Sequence, residues 1–200
     1  MKKITLIMML FLAANLAFGQ LSFGPKIGFN TSKLTTDADK IETDLKNHFN
    51  FGVFLRLGKK VYIQPEVNWL TRDGIFTSDD GKGQQDIEIK TVEIPLLLGW
   101  RVINLGVGNI RIMAGPSASI VTNSTVDVTN ADSFTDPIIE DGDFNDLIWG
   151  GNIGAGVDIL MFTLDVRYQF GLNNVIKEIE NFDYNSKSNI FAVSLGWKLL

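Results

Sequence analysis

Charged side chains recur at every second position within several apolar segments of this 200-residue chain. In the segment 162–171, for example, Asp165 and Arg167 alternate with Leu164 and Val166. Carboxylates and cations spaced in this way can form buried ion pairs, or a path for protons or small ions, if they share one interior. We expect a structural network that fills a narrow interior. Its predicted members are Lys26, Arg56, Glu66, Glu93, Arg101, Arg111, Asp158, Asp165, Arg167 and Lys198.

His48 is the chain's only histidine, and a histidine beside a serine can perform nucleophilic catalysis. Ser32, Ser78 and Ser186 are candidate partners, but no spacing selects one of them. We therefore predict a solvated histidine at the edge of a loop and no catalytic residue.

Residues 127–146 form the most acidic stretch of the chain, and oxygen ligands at this density could bind Ca²⁺. The spacing matches no ordered calcium loop, so a solvated acidic loop is the favoured interpretation. No metal or other cofactor is predicted. The acidic residues concerned are Asp127, Asp132, Asp136, Glu140, Asp141, Asp143 and Asp146.

The elements that position these charges are predicted to be β-strands, because apolar residues recur with a period of two. Phe162 to Gly171 is the clearest segment, and the apolar set Phe191, Val193, Leu195 and Trp197 repeats its pattern. Eight such segments are found. They are 21–30, 48–57, 61–70, 86–101, 110–120, about 144–159, 162–171 and 191–199.

The connections between these segments alternate long and short, which is typical of outer-membrane barrels. We predict an all-β, eight-stranded antiparallel up-and-down transmembrane β-barrel with short periplasmic turns and long external loops. The apolar faces would contact lipid and the charged faces would close the lumen. The predicted external loops are 33–47, 74–85, 123–143 and 172–186.

Outward-facing aromatic residues should collect where the barrel crosses the two membrane interfaces. The predicted interface aromatics are Phe23, Trp69, Trp100, Trp149, Phe162, Tyr168, Phe170, Phe191 and Trp197. Pro25, Pro65, Pro95 and Pro116 fall inside the strands and lack a backbone donor, so we expect β-bulges at these positions.

Residues 1–19 combine a basic start, an apolar core and small residues before Gln20, a pattern that predicts a secretory signal peptide. Residues 20–200 would form the barrel domain. Removal of Lys2 and Lys3 changes the formal net charge from −5 to −7, so nucleic acid is not an expected partner. The chain has no cysteine, and we expect a bacterial protein exported to the outer membrane.

Several short motifs resemble the strand motifs of the PorT-like outer-membrane β-barrel family. They are Gln64-Pro65-Glu66, Glu93-Ile94-Pro95-Leu96-Leu97-Leu98, Ala114-Gly115-Pro116 and Asp165-Val166-Arg167-Tyr168. The resemblance covers essentially all of the predicted mature chain. It implies an eight-stranded outer-membrane barrel and no catalytic residues. The family's named member is a type IX secretion component, so an association with that secretion system is implied as well.

The expected function is structural or interactive, through the external loops, with outer-membrane lipid and envelope or secretion-system proteins as partners. The lumen would be plugged rather than an open pore. Two alternatives remain at this point: a soluble periplasmic lipocalin-like carrier of an apolar ligand, which would invert the faces, and a small lipid-modifying outer-membrane enzyme.

Overall fold

A computed structural model describes residues 21–35, 47–77, 84–129, 144–175 and 187–199. The predicted signal peptide, half of the predicted external loop 74–85 and most of the other three predicted loops lie outside these ranges. Within them, no helix is long and apolar enough to cross a membrane.

Within the described residues, eight strands form one sheet that closes on itself. They are β1 (Leu21–Thr35), β2 (Asn47–Gly58), β3 (Val61–Thr77), β4 (Gln84–Asn104), β5 (Gly108–Thr129), β6 (Leu147–Ile159), β7 (Phe162–Gly171) and β8 (Lys187–Trp197). Each strand pairs antiparallel with the next, and β1 pairs with β8 to complete a closed barrel. Closure gives every strand two neighbours, which removes the free edges that would otherwise be unpaired in lipid. The predicted fold class is confirmed.

The two faces of the barrel are inverted relative to a protein that folds in water. In β7, Phe162 is 50% exposed on the outside, whereas Arg167 is 6% exposed on the inside. In β8, Phe191 and Leu195 are likewise exposed and Ser194 is buried. Side chains alternate between faces, so this orientation holds along the part of each strand that lies below the loop end. The lipocalin-like alternative, which needs an apolar interior, is therefore wrong.

Three short turns lie at one end of the barrel, which we call the turn end; the opposite end is the loop end. Residues 59–60, 105–107 and 160–161 make these turns. Gly58 and Gly106 have φ values of 126° and 81°, a region that glycine enters without a steric penalty. Leu160 also has a positive φ, 51°, and its amide donates to the Val107 carbonyl at 3.0 Å. The apolar turn at Leu160 is thus held by its neighbouring turn.

Several strands extend further at the loop end than predicted. β3 continues to Thr77, β4 begins at Gln84 and β5 continues to Thr129. The predicted loops 74–85 and 123–143 are therefore shorter. Pairing of the backbone continues here although the alternation of apolar and polar residues fades.

The predicted bulges at the four prolines are wrong. Pairing around Pro65, Pro95 and Pro116 is interrupted, yet the register is the same on both sides of each gap. Pro25 lies just beyond the first β1–β8 pair. A local gap in the ladder thus accommodates each missing donor. The register shifts in the β4–β5 ladder occur elsewhere, at Lys90/Thr91 and Arg101/Ile103.

Candidate functional site

The lumen near the turn end contains two arginines that share one carboxylate. Arg56 Nη1 lies 2.8 Å from Asp158 Oδ2, and Arg111 Nε lies 3.2 Å from Asp158 Oδ1. Arg111 also pairs with Asp165, and it donates to the Tyr62 hydroxyl at 3.0 Å. The Arg56 guanidinium lies 4.9 Å from the centre of the Tyr62 ring, within cation–π range. Five strands thus contribute to one buried ionic layer.

The middle of the lumen is organised around the Glu66 carboxylate. Glu66 pairs with Lys26 and with Arg167, whose Nη1 lies 2.8 Å from Glu66 Oε2. Gln64 and Asn68 donate to the same carboxylate at 2.6 and 3.1 Å. All of these side chains are buried. A buried charge needs this kind of pairing and hydrogen bonding to offset the loss of its hydration.

Glu93 on β4 connects the layer around Glu66 to β6. Its carboxylate accepts hydrogen bonds from Asn68 at 3.3 Å and from Asn152 at 3.2 Å. A cavity of about 20 Å³ lies beside Glu93 and Arg167, which is space for about one water molecule.

Arg72 forms a third layer toward the loop end that the sequence interpretation missed. Its guanidinium donates to Ser119 at 2.7 Å and to Ser188 at 3.2 Å, so it joins β3, β5 and β8. Arg72 faces inward because it lies two residues after the inward-facing Leu70. The predicted strand ended at Leu70. Extending the alternation by two residues would have identified it.

An apolar cluster lies beyond Arg72 at the loop end, and the sequence interpretation missed it as well. Ile87 and Ile89 of β4 and Ile148 of β6 pack with Phe144, before β6, and Val175, after β7. All five are at most 3% exposed. A buried apolar layer therefore follows the ionic layers along the barrel axis.

Of the ten predicted network residues, Arg101 and Lys198 do not lie deep in the lumen. The Arg101 guanidinium donates to the backbone carbonyls of Lys59 and, at 3.4 Å, Gly58. β4 carries Arg101 toward the turn, where its guanidinium lies 5.6 Å from the centre of the Tyr62 ring, at the edge of the ionic layer. Lys198 lies at the mouth, with Nζ 3.9 Å from Asp158 Oδ2. Burial, reinforced by the nearby Arg56 guanidinium, lowers the pKa of Lys198 despite the attraction of Asp158.

The predicted aromatics form two outward-facing groups. At the turn end, Phe162 and Trp197 are cross-strand partners; at the loop end, Tyr168 pairs with Phe191. Phe162 and Phe170 are eight residues apart, about 26 Å along the strand. Because barrel strands are tilted by about 35–45°, the two residues are about 20 Å apart along the barrel axis, which is compatible with an apolar band about 25 Å tall. The nine residues, all on the outer surface and each at least 39% exposed, are Phe23, Trp69, Trp100, Trp149, Phe162, Tyr168, Phe170, Phe191 and Trp197.

His48 is not the solvated residue that we predicted. It is half-buried, and its Nε2 lies 2.7 Å from Oδ2 of the buried Asp73. Strand pairing continues through Asp73, which places this carboxylate beside the start of β2. The side chains of the three candidate serines, Ser32, Ser78 and Ser186, lie outside the described residues.

The comparisons with known proteins concern the barrel. A family model described as "Outer membrane protein beta-barrel domain" matches residues 13–177. Neisserial surface protein A (NspA) is 13% identical with a TM-score of 0.51, over 90% of this chain and 99% of that chain. Ail, the attachment invasion locus protein of Yersinia pestis, solved with the heparin analogue sucrose octasulfate, is 11% identical with a TM-score of 0.48. It covers 90% of this chain and 99% of its own. No curated protein matches the chain. At this identity the similarity to NspA supports the fold alone.

Proposed function

The chain belongs to the outer membrane protein beta-barrel domain family, and we propose that it acts as a plugged, non-enzymatic interaction protein of the outer membrane. The observation that carries this proposal is the length of its strands at the loop end. β4 and β5 contain 21 and 22 residues, whereas about 9–11 residues span the hydrocarbon core. The residues of β4 and β5 that exceed this length form a paired two-stranded ribbon, which projects beyond the lipid.

The projecting ribbon offers polar groups to a partner. Glu88 and Lys90 of β4 and Asn123 and Asp127 of β5 are partly or fully exposed there. Backbone pairing between the two strands continues to Thr129, so these groups are held on an ordered scaffold. The scaffold also leads into the segments 78–83 and 130–143. Ordered polar surfaces of this kind lose little conformational entropy on binding.

The ionic layers and the apolar cluster support a closed lumen. Glu66, Arg111 and Arg167 contact groups from across the barrel, and the cavity beside Arg167 has room for about one water molecule. A continuous aqueous path would require these pairs to separate. Eight-stranded barrels have an interior that side chains can fill.

We expect the purified barrel to show background conductance in planar lipid bilayers. The physical reason is that an ion would have to break the buried pairs of Glu66 and cross the apolar layer at Ile87. The measurement is single-channel recording after insertion of refolded protein, with an open porin as the positive control. Discrete conductance steps would contradict the plugged lumen.

The PorT-like motifs support a finer proposal, namely an association with type IX secretion. Such a role predicts contact with partners at the turn end as well as at the loop end. A cavity of about 640 Å³ at the turn end is lined by Lys59, Lys60, Arg101 and Lys198, so this end offers positive charge to a partner.

Crosslinking in intact cells separates the two roles. A photo-crosslinking residue would replace Asn123 on the ribbon, Lys59 at the turn end, or the lipid-facing Ile153 as a control. We expect protein adducts from position 123 for a loop-mediated interaction, and additional adducts from position 59 for a secretion role. Position 153 should give none. If no adduct forms at either position 123 or position 59, the interaction function is wrong.

A further inference from the structure

Three potential metal ligands converge at the loop end of neighbouring strands. His48 lies on β2, Asp73 on β3 and Glu88 on β4, and one ligand atom of each lies within 4.8 Å of the other two. Asp73 is buried, and the other two are half-buried. None of the lumen layers described above includes this cluster.

The cluster brings two carboxylates close together. Asp73 and Glu88 are direct cross-strand partners, and like charges in such a position destabilise a sheet. Burial of Asp73 makes its negative charge more costly. Lys90 lies 3.3 Å from Glu88, but both side chains are largely exposed, and pairs of this kind contribute little. A cation held between the two carboxylates would remove their repulsion.

We propose that His48, Asp73 and Glu88 bind a divalent transition-metal ion, with Zn²⁺ the best match. An imidazole with two carboxylates is a donor set that Zn²⁺ accepts, whereas Ca²⁺ and Mg²⁺ favour oxygen ligands alone. Tetrahedral Zn²⁺ bonds of about 2.0–2.2 Å place ligand atoms about 3.4 Å apart. The 2.7 Å His48–Asp73 contact would open slightly, and the Glu88 carboxylate would move inward. Water would complete the coordination.

The bound ion would connect β2, β3 and β4 near the point where segment 36–46 ends and segment 78–83 begins. It would therefore stabilise the scaffold that carries the external segments. Any ion that binds the folded state and not the unfolded state raises stability by mass action. This site goes beyond the proposed interaction function, and neither depends on the other.

The test uses the refolded barrel in detergent micelles, treated with a chelator and then titrated with Zn²⁺ in a calorimeter. We expect one ion per barrel and a Kd at least tenfold weaker in each of His48→Gln and Glu88→Gln. Asp127→Asn removes an exposed carboxylate from the same ribbon and should change the Kd less than twofold. Lys90→Gln should bind Zn²⁺ at least as tightly as the unchanged chain.

Heat-modifiable gel mobility confirms that each variant is folded before titration. Zn²⁺ should also raise the unfolding midpoint of the unchanged barrel and leave that of His48→Gln in place. The proposal is overturned if the unchanged barrel binds no Zn²⁺. It is equally overturned if either ligand variant keeps the original affinity, or if Asp127→Asn weakens binding as much as they do.

Discussion

Glu66→Gln is expected to destabilise the folded barrel by about 3–5 kcal/mol, which is typical for the loss of one partner from a buried ion pair. Glu66 is 2% exposed and contacts both Lys26 and Arg167. The substitution leaves those two cations in the lumen without the carboxylate that joins them. The measurement is equilibrium urea unfolding of the barrel in lipid vesicles.

Two further variants serve as controls for Glu66→Gln. Asp127→Asn removes a charge from an exposed position on β5 and should change the free energy of unfolding by less than about 0.5 kcal/mol. The double variant Glu66→Gln with Lys26→Met removes one charge of each sign and should recover part of the loss. A loss below about 1 kcal/mol for Glu66→Gln would mean that the network does not stabilise the barrel.

Val166→Arg is expected to cost about 2–4 kcal/mol, the penalty for a cation on the lipid face near the bilayer midplane. Val166 lies midway between Phe162 and Phe170 on β7 and faces outward, 39% exposed. An arginine there meets hydrocarbon rather than water. Unfolding in vesicles measures the effect, with Asp127→Arg as the control because that position lies on the ribbon beyond the lipid. Equal stability of Val166→Arg and the unchanged chain would contradict the membrane orientation.

The transmembrane part of the fold follows from the sequence because lipid contact imposes a strict pattern. Leu164 and Val166 must face outward while Asp165 and Arg167 face inward, and a slip by one residue would reverse all four. The same reasoning holds for Phe191 and Leu195 of β8. Strand number, order and orientation were therefore predictable, and the structure confirms them.

The ends of the strands at the loop end were not predictable in the same way. Beyond the lipid the outer face meets water, so the hydropathy contrast between the faces fades while backbone pairing continues. β3 was therefore expected to end at Leu70, and the inward-facing Arg72 was missed. The Asp73 carboxylate beside His48 was missed for the same reason.

The pairing of the interior charges could not be predicted from the sequence either. Alternation shows that Arg56 and Asp158 face inward, but they are 102 residues apart in sequence and meet only because the barrel closes. The stagger of the strands decides which residues share a layer. It places Arg101 against the backbone of the turn at Lys59, although it carries the same charge as Arg111.

The most direct test of the central claim is the solvent exposure of alternate residues along β7. The chain has no cysteine, so single cysteines can be introduced at positions 163 to 169 and spin-labelled in lipid vesicles. Labels at 164, 166 and 168 should be accessible to oxygen and shielded from a water-soluble relaxation agent. Labels at 163, 165, 167 and 169 should be immobile and shielded from both. High oxygen accessibility at 165 and 167, with 164 and 166 enclosed, would contradict a barrel whose apolar face contacts lipid.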